Sequence, residues 1–102
     1  MDNTTSYRSI GVNEMDSLLD TVEIIDIREP YEFSEGSLRN ATNIPMGELL
    51  ANPDSFLEEG KTYYILCRSG MRSRNTCQML NAQGYDVIDV TGGMLGYTGN
   101  QR

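Results

Sequence analysis

Eight consecutive residues, Cys67-Arg68-Ser69-Gly70-Met71-Arg72-Ser73-Arg74, place one thiol among three guanidiniums. The thiol directly follows the apolar run Tyr63-Tyr64-Ile65-Leu66, which reads as a strand. An amphipathic helix is predicted from Ser73 to Gln83, closed by Gly84. A cysteine in that place sits at the carboxyl end of a buried strand, on a tight loop entering a helix. Unpaired backbone N–H groups and the positive end of the helix dipole favour a thiolate there and bind anions. Cys67 is therefore read as a nucleophile. The other cysteine, Cys77, falls with Thr76 and Leu80 on the helix's apolar face and reads as a packing thiol.

Histidine is absent from the chain. That removes Cys–His nucleophile pairs, most catalytic zinc sites and imidazole acid–base chemistry together. Activation of Cys67 must come from loop dipoles and arginines. Two cysteines ten residues apart match neither a redox pair nor a zinc pattern, and the scattered Met46, Met71, Met79 and Met94 give no metal geometry. Neither a metal nor a cofactor is expected. A net charge of −7 argues against nucleic acid, which needs a basic face. Arg68, Arg72 and Arg74 are three of only eight basic residues, so a local positive pocket for a small anion is expected.

With 102 residues, 38% of them hydrophobic, the chain is read as one domain over 1–102. No stretch resembles a membrane span, and the polar start Met1-Asp2-Asn3-Thr4-Thr5-Ser6 does not resemble a signal peptide. No membrane association and a cytoplasmic location are the expectations.

The elements that must position Cys67 can be read in turn. Strands are predicted at Val22–Asp26, Ala41–Ile44, Thr62–Leu66 and Val87–Val90, with an edge strand at Tyr7–Ile10. Val12, Met15, Leu18 and Leu19 form a helical stripe with Asn13 as its cap. A turn of helix is predicted over Pro30–Glu35. A short helix is predicted to start at Asn52-Pro53-Asp54 and to end at Gly60. Alternating strands and helices predict a three-layer α/β domain with a mainly parallel sheet of about five strands. Ligands of such sheets bind beyond the strands' carboxyl ends. Asp26-Ile27-Arg28, the Cys67 loop and Thr91-Gly92-Gly93 would all lie on that edge.

Those segments carry a family resemblance over nearly the whole chain. Asp26-Ile27-Arg28-Glu29-Pro30-Tyr31-Glu32-Phe33 resembles the acidic–x–Arg opening of rhodanese-like sulfurtransferase domains. Gly36 through Asn43-Ile44-Pro45, the Cys67–Ser73 loop and Gly92-Gly93-Met94 resemble that family's next three motifs, in order. Two positions depart from the pattern. Ser37 stands where the family often has histidine, and Tyr97 where it often has tryptophan.

The resemblance implies a rhodanese-like three-layer domain and a thiosulfate sulfurtransferase-type activity. Cys67 would attack the sulfane sulfur of thiosulfate or a similar small anionic donor. A persulfide would form on Cys67, and its outer sulfur would pass to cyanide or a thiol. Backbone amides from Arg68, Ser69, Gly70, Met71, Arg72 and Ser73 would cradle it, with Met71 as an apolar wall. Arg72 would hold the donor's anionic end and Arg68 would add field at the mouth. Asp26, Arg28 and Glu32 are expected to support the site structurally, with Arg28 ion-paired to Glu32. One alternative is a persulfide carrier or binding module serving a protein sulfur acceptor. Another is a phosphatase or arsenate reductase on the same fold, whose loop would have five residues between cysteine and arginine. Here four residues separate Cys67 from Arg72, a shorter ring that suits sulfur.

Overall fold

Five strands, all parallel, run in the order β1-β5-β4-β2-β3 in a computed structural model that describes residues 7–100. They are β1 (Ser9–Gly11), β2 (Glu23–Asp26), β3 (Ala41–Asn43), β4 (Thr62–Leu66) and β5 (Asp86–Thr91). Four helices, α1 (Pro30–Ser34), α2 (Met46–Ala51), α3 (Met71–Ala82) and α4 (Gly93–Gly96), join them, with 3₁₀ turns at Val12–Ser17 and Pro53–Ser55.

The alternation of side chains along each strand explains the layers. Ile25, Ile65 and Val87 point to one face and pack with Leu49 of α2 and Leu80 of α3. Ile24, Leu66 and Val90 point to the other and pack with Met15, Leu19 and Met94. Both faces are covered, which is why these strands read as apolar runs. Parallel pairing brings the carboxyl ends of β2, β4 and β5 to one edge, as expected.

Several boundaries differ from the sequence expectation. Helix α3 begins at Met71 rather than Ser73, because Gly70 takes a left-handed conformation (φ 105°) and serves as its N-cap. Asn13 caps nothing. Gly11 opens that 3₁₀ turn and its N–H donates to Glu14, while the Asn13 amide donates to the Gly96 carbonyl. Helix α2 was not expected, since Gly47 weakens its propensity. Complete burial of Leu49 in the core decides the matter. The Asn52-Pro53 start signal yields only one 3₁₀ turn, Pro53–Ser55, because α2 already occupies the residues before it.

Candidate active site

Strand β4 ends at Leu66, and the next residue, Cys67, is 1% exposed. The chain then turns sharply enough that two amides face the sulfur. The Gly70 N–H lies 3.0 Å and the Ser73 N–H 3.3 Å from Cys67 Sγ. Both belong to the amino-terminal turn of α3, so dipole and direct donors act on the same atom.

The carbonyls of this loop are turned the other way. Cys67 O accepts from the Met94 amide at 2.9 Å and Arg68 O from the Leu95 amide at 2.8 Å. Consecutive left-handed residues Gly92 (φ 83°) and Gly93 (φ 59°) make this possible. A Cβ on Gly93 would lie 2.4 Å from Arg68 O and 2.5 Å from Cys67 O. Helix α4 thus latches the loop's carbonyls outward and leaves its N–H groups facing inward.

Arg72 is committed. Its two terminal nitrogens bond both oxygens of Glu32, at 2.9 and 3.0 Å. Glu32 also accepts the Glu29 N–H at the start of α1, so the pair ties α3 to α1. The Arg72 guanidinium, assisted by that amide and opposed by burial, lowers the Glu32 pKa from 4.5 to about 2. The stabilisation is complete above the ordinary carboxylate range and is lost as pH falls toward about 2. Because the Arg72 side chain is 32% exposed, solvent reduces the contribution to about 1–2 kcal/mol. Acid titration of unfolding should therefore show wild type losing stability more steeply than Glu32→Gln in this window. Parallel curves would mean that the pair contributes nothing.

The expected Arg28–Glu32 ion pair does not form. Arg28 bonds Asp26 instead, from Nε at 2.9 Å and from a terminal nitrogen at 2.8 Å, and also reaches the Gly36 carbonyl at 2.7 Å. Two residues apart across the end of β2, the pair closes a local turn, and the Arg28 N–H completes it on Asp26. Glu32 lies one helical turn into α1, where Arg72 reaches it first. Ser37 donates to Asp26 at 2.6 Å, giving the departure at that position a defined role.

Arg68 is exposed and makes no side-chain hydrogen bond or ion pair among the described residues. It lines two adjoining cavities, one of about 410 Å³ with Glu29, Tyr31, Glu32, Glu35 and Arg72, the other of about 360 Å³ with Arg28, Glu35 and Leu95. The surface around Arg68 is thus mixed in charge rather than simply positive, and Cys67 lines neither cavity. Met71 is 70% exposed at the start of α3 and does not wall the sulfur. Ser69 is exposed on the loop's crest. A larger cavity of about 500 Å³ over α2 contains neither Cys67 nor an arginine. Among the described residues no three His, Cys, Asp or Glu side chains converge as metal ligands. No helix among them is long and apolar enough to cross a membrane.

One residue of the site was missed. Asp89 on β5 is 1% exposed and accepts a hydrogen bond from Ser73 Oγ, which itself lies 3.4 Å from Cys67 Sγ. The available signal was a carboxylate inside the otherwise apolar Val87-Ile88-Asp89-Val90.

The fold of this chain is similar to that of the rhodanese-like domain protein from Staphylococcus aureus. The two share a TM-score of 0.79 and 34% identity over 88% of this chain and 90% of that one. The Rhodanese-like domain model matches residues 11–100, and the chain belongs to that family. Among its relatives, YtwF of Bacillus subtilis is 39% identical over 79 residues, covering 78% of this chain and 76% of that protein. A protein of Allochromatium vinosum named sulfurtransferase is 36% identical over 95 residues, covering 84% and 88%.

Proposed function

We propose that the protein is a sulfurtransferase that carries a sulfane sulfur as a persulfide on Cys67. The observation that supports this best is the pair of amides, from Gly70 and Ser73, aimed at a buried sulfur in a chain without histidine. They stabilise an anion on sulfur and supply no general base. A thiolate displacing sulfite from thiosulfate needs no base. The Cys67 thiolate attacks the sulfane sulfur, the S–S bond of the donor breaks, and sulfite leaves with the electron pair. Cys67 is left as a persulfide anion, and attack by cyanide or a thiolate on its outer sulfur returns the Cys67 thiolate.

Arg68 is the guanidinium free to meet an anionic donor, a role that Arg72 cannot take without abandoning Glu32. The four-residue gap from Cys67 to Arg72 remains an argument for sulfur over phosphate, and the Arg72–Glu32 pair adds to it. A protein thiol as acceptor is favoured by a second feature. Tyr31, Met71 and Leu95, 68%, 70% and 63% exposed, place apolar surface at the start of α3 and on the cavities beside Arg68. Such surface suits contact with a protein more than with cyanide.

Intact-mass analysis after incubation with thiosulfate tests the reading. Wild type should gain one sulfur atom and Cys67→Ala none; equal gain by both would end the proposal. In the same assay Arg68→Ala should raise the thiosulfate concentration for half-loading by about tenfold, the loss of one charge-assisted contact. Its loading by a neutral persulfide donor should be unchanged. An equal loss with both donors would place Arg68 in the structure of the loop instead.

A further inference from the structure

We propose that Asp89 positions the proton of Cys67 through Ser73, so that thiol and carboxylate share one proton along a Cys67–Ser73–Asp89 relay. Ser73 is fully buried, and its hydroxyl has a single proton to give. That proton is claimed by Asp89 Oδ1, an ionisable acceptor stronger than the Gly70 carbonyl at 3.2 Å. The lone pairs of Ser73 Oγ are then left for Cys67, whose S–H donates to it across 3.4 Å. The donor order is thus Cys67 to Ser73 to Asp89.

The step moves protons only. The Cys67 proton passes to Ser73 Oγ as the Ser73 proton passes to Asp89 Oδ1. Thiol plus carboxylate becomes thiolate plus carboxylic acid, with Ser73 unchanged and one negative charge throughout. The thiolate formed faces the Gly70 and Ser73 amides, which a neutral thiol does not need. In a chain lacking histidine this supplies the proton acceptor that the loop itself does not contain.

Among the groups around Asp89, the Tyr7 donor favours the ionised carboxylate and no guanidinium pairs with it. From before β1, the Tyr7 hydroxyl donates to Asp89 Oδ2, and burial together with this bond keeps the Tyr7 proton in place. The Arg74 guanidinium lies over the Tyr7 ring, 5.7 Å from its centre, and not on the carboxylate. Arg8 is paired with Asp86, and only its backbone carbonyl meets the Asp89 amide. On α3, burial raises the Cys77 thiol so far that it stays neutral. No cation among the described residues forms an ion pair with Asp89.

The inference rests on Cys67 being the reactive sulfur, but its test requires no sulfur donor. It would stand or fall even if thiosulfate loading failed. Thiolate absorbance and the rate of alkylation by iodoacetamide are followed against pH on the full chain, with Cys67→Ser as the blank. Wild type should form thiolate in two steps, the behaviour of a coupled pair. Asp89→Asn, of nearly the same shape, should remove the acid-side step, leaving one and lowering the alkylation rate on the acid side by about tenfold. Tyr7→Phe removes a donor to the ionised carboxylate and should shift the shared proton toward Asp89, raising the neutral-pH alkylation rate several-fold, up to about tenfold. A single step in wild type would overturn the proposal, as would faster alkylation of Asp89→Asn at every pH, the mark of simple charge repulsion. Because Tyr7 is on the periphery, its variant remains decisive if Asp89→Asn does not fold; an unchanged alkylation rate in Tyr7→Phe would also count against the relay.

Discussion

Gly93→Ala is expected to destabilise the protein by roughly 3 kcal/mol or more and to abolish sulfur loading of Cys67. Two costs combine. The residue sits at φ 59°, where an L side chain is strained by about 1 kcal/mol. Its new Cβ would lie within 2.5 Å of three backbone atoms, Arg68 O, Arg68 C and Cys67 O, none of which can rotate away. Relief requires the Cys67 loop to part from α4. That breaks the bonds from the Met94 and Leu95 amides and frees the loop carbonyls to turn toward the sulfur. Gly84→Ala is the control, because it has the same handedness, φ 96°, and nothing within 4 Å of its Cβ. It should cost only about 1 kcal/mol and leave loading intact. The measurements are denaturant unfolding and intact mass after thiosulfate. Equal behaviour of the two variants would show that close approach at Gly93 does not hold the loop in shape.

Gly93 also marks the limit of what could be read from the residues alone. The Gly-Gly pair was legible as a motif at the sheet edge, and the strands were legible because both sheet faces are buried, leaving apolar runs such as Tyr63–Leu66. The position of Cys67 at a strand end followed from the same runs. Pairing of side chains was not legible. Arg28 and Glu32 are spaced for a helical ion pair, but β2 has ended and α1 has not begun at Arg28. The nearer carboxylate, Asp26, takes the guanidinium, and Glu32 is left to Arg72 forty positions away. Asp89 was hidden for a related reason. Its partners, Ser73 and Tyr7, lie 16 and 82 positions away and meet it only because β5 runs beside both β4 and β1. Local pattern determines elements; contacts between residues distant in sequence determine which charges meet.

Asp26→Ala should be the most damaging change away from the sulfur, costing about 3–5 kcal/mol. Arg28 is only 5% exposed, and Asp26 Oδ1 and Oδ2 together satisfy its backbone N–H and two of its guanidinium nitrogens. Removing the carboxylate leaves a buried cation with the Gly36 carbonyl as its remaining acceptor, and strips Ser37 of its own. The effect extends to the surface around Arg68, since Arg28 lines the cavity beside Arg68 and Leu95. A second substitution separates the loss of the pair from the loss of packing. Arg28→Met in the Asp26→Ala background removes the uncompensated charge while keeping much of the buried chain. The double variant should therefore recover about 1–3 kcal/mol relative to Asp26→Ala. Glu32→Ala provides the contrast, because it frees only the partly exposed Arg72 and should cost less than Asp26→Ala. If Arg28→Met recovers nothing, or if Glu32→Ala proves as damaging as Asp26→Ala, the Asp26–Arg28 pair does not anchor this edge of the sheet.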